Sequence, residues 1–147
     1  MKAAALLAAT LLAAGTVQAR PAAVPSDRQV AASACAGVPG GRVWRRTELY
    51  FGRSGPGGPV DDTAFAVFVD RVVTPRFPDG LTLLDGRGQY RESPEAPIGR
   101  EASTVLVLLH PGGREAGARI EAIRAAYKAE FRQRSVLRVD RAACVSL

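Results

Sequence analysis

The fold is decided by the stretch Trp44-Arg45-Arg46-Thr47-Glu48-Leu49-Tyr50-Phe51-Gly52. Its second half alternates, with Leu49 and Phe51 on one side and Glu48 and Tyr50 on the other. A period of two residues is that of a β-strand with one buried face. We therefore predict that this stretch is the first strand of the folded domain and a central strand of its sheet.

Apolar periods downstream of this strand predict two helices and three further strands. Asp61 or Asp62 can cap the first helix, whose buried stripe is Phe65, Phe68, Val69 and Val72. The second helix is predicted from about 114 to 132, with a stripe of Ala116, Ile120, Ile123, Tyr127 and Phe131. The strands are predicted from residue 81 onward, at 104–109 and at 135–140.

The order strand, helix, strand, strand, helix, strand is the split-βαβ pattern. It predicts an α+β, ferredoxin-like βαββαβ two-layer sandwich, with a four-stranded antiparallel sheet and two helices on one face. In that fold the strand order is four-one-three-two, so the first and third predicted strands are central.

The N-terminal segment has the pattern of a secretory signal peptide. Met1-Lys2 precedes an apolar run and a small-residue end at Ala19, so we predict a signal peptide at 1–19. Residues 20–43 show neither apolar period and are predicted to be a flexible tether, and 44–147 to be a single α+β domain. No apolar run is long enough to span a bilayer. An exported protein, periplasmic or secreted, follows from these features.

The chain contains two cysteines, Cys35 and Cys144, and one histidine, His110. In an oxidising compartment such an isolated pair favours a disulfide. Ala32-Ser33-Ala34-Cys35 loosely resembles a lipoprotein box, but charged residues separate it from the apolar run, which disfavours lipid anchoring at Cys35. With a single histidine, no metal site is expected, and no cofactor motif is present.

The formal charge of the chain is +6 at pH 7. Its arginines are scattered, without a basic stripe or interleaved aromatic residues, so nucleic acid is not an expected partner. The Gly-rich segment 53–58 lacks the lysine and hydroxyl of a P-loop. The overlapping stretch Gly52-Arg53-Ser54-Gly55-Pro56 differs from the G-x-S-x-G nucleophile elbow at its last residue.

Helices cover one face of such a sheet. We predict that this face carries Leu49, Phe51, Val105, Val107, Leu109, Leu137 and Val139. The open face would carry Glu48, Tyr50, Leu84, Leu106, Leu108, His110, Val136 and Arg138. An exposed apolar patch of this kind marks an interface or a ligand groove, so we predict a homodimer that packs sheet to sheet.

Five residues are candidates for ligand binding. Glu48, Tyr50, His110 and Arg138 would share the open face, where acid–base chemistry needs such convergence. Arg87 lies between two glycines that allow close approach, so that it could fork onto a carboxylate or phosphate. The structural alternatives are a histidine positioned by its turn and an arginine in a β-bulge. No catalytic residue is assigned.

Three strings resemble one known family. They are 46–53, RTELYFGR, then 68–82 with its Val73-Thr74-Pro75-Arg76-Phe77-Pro78-Asp79-Gly80 core, then Asp85-Gly86-Arg87-Gly88-Gln89. They resemble an exported bacterial family known as domain of unknown function 3574, over about residues 44–147. The resemblance implies no activity and no catalytic residues.

The sequence therefore favours an exported, non-catalytic binding or interaction module that dimerises through its open sheet face. Its partner would be a second copy, an unknown small ligand or an envelope component. The competing hypotheses are a small cofactor-independent enzyme with a cleft on that face and a purely structural envelope protein. Fold analogy is a weak guide among them.

Overall fold

A computed structural model describes residues 24–147, which form one four-stranded sheet with three α-helices and a short hairpin. The elements in chain order are α1 (Asp27–Cys35), β1 (Arg42–Gly52), β2 (Ser54–Gly55), β3 (Gly58–Pro59), α2 (Asp62–Phe68), β4 (Thr82–Tyr90), β5 (Gly99–His110), α3 (Arg114–Glu130) and β6 (Leu137–Val145). A π-helical turn, Val69–Val73, extends α2. Apart from α1 and the β2–β3 hairpin, this is the predicted βαββαβ order.

The sheet has the order β4-β5-β1-β6, with every neighbouring pair antiparallel. Strand β1 is therefore central, with Leu49 opposite Leu106 of β5 and opposite Arg138 of β6. This is the strand order that the split-βαβ pattern requires. The fold is ferredoxin-like α+β, as the sequence predicted.

The core lies between the sheet and the two helical segments, α2 with its π turn and α3. Phe51 of β1 packs edge-on against Phe65 and Phe68 of α2 and against Tyr127 of α3, with ring centroids 5.6, 6.2 and 4.5 Å away. Asp61 caps α2 by accepting a hydrogen bond from the N–H of Ala64. Both predicted helix stripes are confirmed, because their residues point into this layer.

The segment predicted as a tether contains a helix, α1, and the first two residues of β1. Ser26 and Gln29 form a capping box at the start of α1, a local signal that needs no apolar periodicity. A disulfide joins Cys35, the last residue of α1, to Cys144 of β6, with the Cα atoms 5.2 Å apart. The predicted pairing of the two cysteines is confirmed. The predicted signal peptide, 1–19, lies outside the described residues.

The predicted face assignment is wrong for β5 and β6. Leu106 and Leu108 are fully buried toward the helices, whereas Val105, Val107 and Leu109 share the open face with Glu48 and Tyr50. Strand β5 is apolar at every position from 105 to 109, so its sequence does not fix its phase. On β6, Val136 is buried, and Leu137 and Val139 point outward.

Candidate functional site

An apolar row crosses the whole open face of the sheet. Leu84 of β4 lies opposite Val105 of β5, Val105 opposite Tyr50 of β1, and Tyr50 opposite Leu137 of β6. Leu84 and Leu137, at the two ends of the row, are 49% and 60% exposed. Such exposed apolar side chains on a sheet face are typical of an interface. We call these four residues the apolar row.

Beside the apolar row, Glu48 is surrounded by hydrogen-bond donors. Its Oε1 accepts from Nε of Arg46 and from Nη2 of Arg141, both at 2.7 Å, and its Oε2 accepts from the hydroxyl of Tyr50 at 2.7 Å. These hydrogen bonds hold the pKa of Glu48 at about 2, and the bond from Arg46 has the largest effect. The same contact with Glu48 raises the pKa of Tyr50. The group is a satisfied ion-pair cluster that orients the ring of Tyr50.

A cleft of about 1000 Å³ opens where the open face meets the β2–β3 hairpin and the loops before β5 and β6. We call it the hairpin cleft. Tyr50, Val105 and Leu137 of the apolar row form one side of it. Glu101 of β5 and Tyr90 of β4 belong to the lining farther along the strands. The hairpin cleft is therefore part apolar and part polar, as small-molecule sites are.

His110 lies on the opposite, helix-covered face of the sheet, where it is buried. The N–H of Gly112 donates to its Nδ1 at 3.1 Å, so Nδ1 is an acceptor and the proton lies on Nε2. Nε2 lies 3.0 Å from Oγ1 of Thr47, and the Thr47 hydroxyl donates to Oδ1 of Asp140 at 2.5 Å. The hydrogen bonds thus select one neutral tautomer of His110. Burial lowers its pKa, and the charge of Asp140 only partly opposes this.

Arg138 belongs to the same buried-face network. Its Nε donates to Oδ2 of Asp140 and its Nη1 donates to Oε1 of Glu121 on α3, at 2.7 and 2.8 Å. Burial works to raise the pKa of Asp140, but the bonds from Arg138 and Thr47 outweigh it and the pKa is lowered. Arg138 points inward because the carboxylates of Asp140 and Glu121 pair with it there. It therefore connects β6 to α3.

The free energy of unfolding is expected to fall as the pH is lowered through 6.5, the ordinary pKa of histidine, because burial lowers the pKa of His110 in the folded protein. The folded pKa of His110 lies below 6.5, so the unfolded state binds a proton first. The contribution of neutral His110 to the free energy of unfolding is complete above pH 6.5. It is lost as the pH falls through the pKa that His110 has in the folded protein. Urea unfolding monitored by circular dichroism at several pH values measures this slope.

The variant His110→Gln provides the control, because the chain has no other histidine. It should show a flatter profile in this range, yet keep the loss of stability below pH 4.5 that Glu48, with its pKa of about 2, imposes. Parallel profiles for the wild type and the variant from neutral pH down to 4.5, the ordinary pKa of a glutamate, would contradict the role assigned to His110.

The five predicted ligand-binding residues thus divide into separate places. Glu48 and Tyr50 are hydrogen-bonded to each other on the open face, and Arg87 is exposed on β4 and contributes to the lining of the hairpin cleft. The prediction that His110 and Arg138 share the open face is wrong, because both project toward the helices. Whether any of the five binds a ligand stays a prediction.

Two relevant residues were missed in the sequence. Thr47 falls in the buried phase of β1 together with Leu49 and Phe51, and a polar residue in that phase could have indicated a buried partner. Glu101 gave no signal, since it precedes the apolar part of β5 and its partner Ser54 lies in the β2–β3 hairpin, distant in sequence.

Within residues 24–147 no helix has the length and apolarity to cross a membrane. The same range holds no group of three or more His, Cys, Asp or Glu side chains that could hold a metal ion.

Fold and sequence together define a ferredoxin-like α+β protein with a disulfide and an open sheet face. The chain belongs to the family described as "Protein of unknown function (DUF3574)", whose model matches residues 46–147. Among curated proteins none matches the chain.

Solved structures share the fold at low identity. A phage SAM lyase in complex with S-methyl-5'-thioadenosine is 13% identical, with a TM-score of 0.53 over 71% of this chain and 90% of the lyase. The apo state of a phage SAM lyase gives 14% identity and a TM-score of 0.52, over 75% and 93% of the two chains. A PII-like protein from Thiomonas intermedia K12 is 14% identical, with a TM-score of 0.42 over 73% and 97% of the chains. At these identities the likeness to the two lyase structures shows the fold alone.

Proposed function

We propose that the protein is an exported binding module whose open sheet face packs against a second copy of the chain. The observation that carries this proposal is the apolar row, which crosses all four strands and exposes Leu84 and Leu137 at its ends. Leu109 and Val139 on the same face are also exposed. A sheet face with this composition is stabilised by removing it from water.

The size of the open face fits a second copy. Four strands about 4.8 Å apart and about nine paired residues long, at about 3.3 Å per residue, span roughly 19 by 30 Å. The planar area of roughly 570 Å² corresponds to a larger accessible area once side-chain relief is included, near the ~800 Å² that one partner contributes to a standard interface. The Glu48 cluster is internally neutralised apart from one arginine charge, so it adds little repulsion between copies.

Export is supported by the disulfide and by the predicted signal peptide. A bond between Cys35 and Cys144 persists in oxidising compartments and is rare in reducing ones. The same bond occupies Sγ of Cys35, which leaves no thiol for a lipid anchor. A periplasmic or secreted location is the proposal that follows.

The alternative, a small cofactor-independent enzyme on the open face, has less support. Its acid–base hypothesis required His110 beside Glu48 and Tyr50, and the sheet separates them. Glu48 is held ionised by its three donors, with a pKa of about 2, so it is a poor proton acceptor near neutral pH. One neighbour in fold is a lyase by name, but fold does not imply function.

The test of the proposal compares two exposed apolar residues. Leu84→Glu places a charge in the apolar row, and Val67→Glu places the same charge on the solvent side of α2, where Val67 is 53% exposed. We expect Leu84→Glu to weaken self-association about tenfold or more, because a carboxylate would be buried without a partner. Val67→Glu should leave it unchanged.

The measurement is sedimentation equilibrium of the oxidised wild-type protein and both variants over a range of concentrations. A wild-type protein that is monomeric throughout, or variants with equal dissociation constants, would refute the dimer. Circular dichroism confirms that each variant is folded, which keeps a loss of association from being mistaken for unfolding.

A further inference from the structure

We propose that the hairpin cleft is a binding site for an uncharged ring that carries vicinal hydroxyl groups, a saccharide or the ribose of a nucleoside. Glu101 is the group that would bind the hydroxyls. The hairpin cleft shares Tyr50, Val105 and Leu137 with the apolar row, so a second copy on the open face would border it, whereas Glu101 and Tyr90 lie outside that row.

The carboxylate of Glu101 is held in place on one side only. Its Oε2 accepts hydrogen bonds from the backbone N–H and the hydroxyl of Ser54, at 3.1 and 2.6 Å. Ser54 is itself fixed, since its carbonyl accepts from Nε2 of Gln133 at 2.9 Å. Oε1 accepts no hydrogen bond from any residue between 24 and 147, and no cation there pairs with Glu101. One carboxylate oxygen is thus preorganised and has capacity to accept further bonds.

Space for a ligand lies directly beside this oxygen. The carboxylate crosses Gly52, where a Cβ would come within 2.8 Å of Oε1, so only glycine allows Glu101 to reach Ser54. Gly52 lies opposite Ser103, and Ser103 lies opposite Gly86 on β4. No bulky side chain therefore covers the sheet beside the carboxylate. The hairpin cleft has a volume of about 1000 Å³, at the upper end of the range for small-molecule sites.

The polar and aromatic groups around this space select the ligand class. The ring of Tyr90 is half exposed and lies against Gly99, where a Cβ would be 2.9 Å from Cζ. Tyr90 and Gly99 are two paired positions beyond Gly88 and Glu101 and therefore lie on the same face. An aromatic ring beside a carboxylate acceptor suits a sugar ring, whose adjacent hydroxyls donate to the carboxylate as ribose hydroxyls do in dinucleotide sites.

Charge disfavours the other class of ligand that a carboxylate attracts, an organic cation. The charged residues of the lining balance, with Arg87 and Arg134 against Glu92 and Glu101. Arg134 donates to Oε1 of Glu92 at 2.7 Å, so two of these four charges pair with each other. The chain as a whole carries a formal charge of +6, which repels cations.

The experiment is a titration of the oxidised wild-type protein, observed by backbone amide NMR. The probes are adenosine, methyl β-glucopyranoside, 2',3'-dideoxyadenosine, which lacks both hydroxyls of the diol, and ethylammonium. We expect saturable shifts at residues around Gly52, Glu101 and Ser103 with adenosine, the glucoside or both. Dideoxyadenosine should bind about tenfold more weakly than adenosine, because the carboxylate loses its donors.

The variant Glu101→Gln should weaken the binding of the diol ligand about tenfold or more. Glu95→Gln is the matched control, since Glu95 is an exposed carboxylate of the β4–β5 loop outside the lining. A second variant, Gly86→Ala, reduces the space without touching the carboxylate, because its Cβ would meet Oγ of Ser103 at 3.0 Å. It should weaken binding in the same direction.

Binding of adenosine alone identifies a nucleoside site, and binding of the glucoside alone a saccharide site. Saturable binding of adenosine and dideoxyadenosine with equal affinity, saturable binding of ethylammonium only, or no shift with any probe would each overturn the proposal. Repeating the titration with Leu109→Glu, which lies on the open face outside the hairpin cleft, separates this result from the dimer. If the Leu109→Glu variant no longer self-associates but still binds the probe, ligand binding in the hairpin cleft does not require the dimer.

Discussion

Replacing Phe68 by alanine is expected to lower the free energy of unfolding by about 3–5 kcal/mol. Phe68 is completely buried at the end of α2. Its ring lies 6.2 Å from that of Phe51, 5.2 Å from Tyr127 and 5.7 Å from Phe131, centroid to centroid. Truncation removes the contacts among β1, α2 and α3 at one point and leaves a cavity. Urea denaturation, followed by circular dichroism, measures the change.

The neighbouring residue provides the control. Val67 is more than half exposed on the other side of α2, so Val67→Ala should change the free energy of unfolding by no more than about 0.5 kcal/mol. Both substitutions lie in the same helix and end in alanine. Because phenylalanine and valine have similar helix propensities, the difference between the two variants reports burial. Similar losses for the two variants would contradict the assignment of the buried stripe.

Removing the disulfide is expected to have an effect of similar size. Cys35 and Cys144 are separated by 109 residues, and cross-linking a loop of that length stabilises a protein by about 4–5 kcal/mol in the chain-entropy model, an upper figure. The double substitution Cys35→Ser and Cys144→Ser frees α1 from β6. We expect a lower midpoint of urea unfolding and faster amide exchange in α1.

Reduction of the wild-type protein is the companion measurement. Its midpoint should shift to that of the double variant, while the oxidised protein keeps the higher value. Because the core is built from α2, α3 and the sheet, the reduced protein should still unfold cooperatively. A change below about 1 kcal/mol on reduction would contradict a stabilising role for the bond.

Much of the fold could be predicted from local patterns. The alternation of β1, the stripes of α2 and α3 and the Gly-rich and Pro-rich breaks between elements were sufficient to predict the strand order. The helix α1 was missed because its start depends on the Ser26–Gln29 capping box. A helix with one buried residue, Ala31, has almost no apolar period to detect.

The face of each side chain could be predicted only where the pattern has a period. Strand β1 has one, and Glu48 and Tyr50 lie where it placed them. Strand β5 has none, because residues 105–109 are apolar throughout, and its phase is set by pairing with β1. On β6 the apolar Leu137 and Val139 point outward, since Arg138 and Asp140 find partners on the helix side. Glu101 depends on a tertiary contact with Ser54 that no local pattern encodes.

The most direct test of the central claim, that the open face is covered by a second copy, is native mass spectrometry of the oxidised wild-type protein. We predict a main species with twice the mass of one chain, which the substitution Leu84→Glu converts to the mass of a single chain. A wild-type protein found only at the mass of one chain, at concentrations where the variant behaves identically, would contradict it.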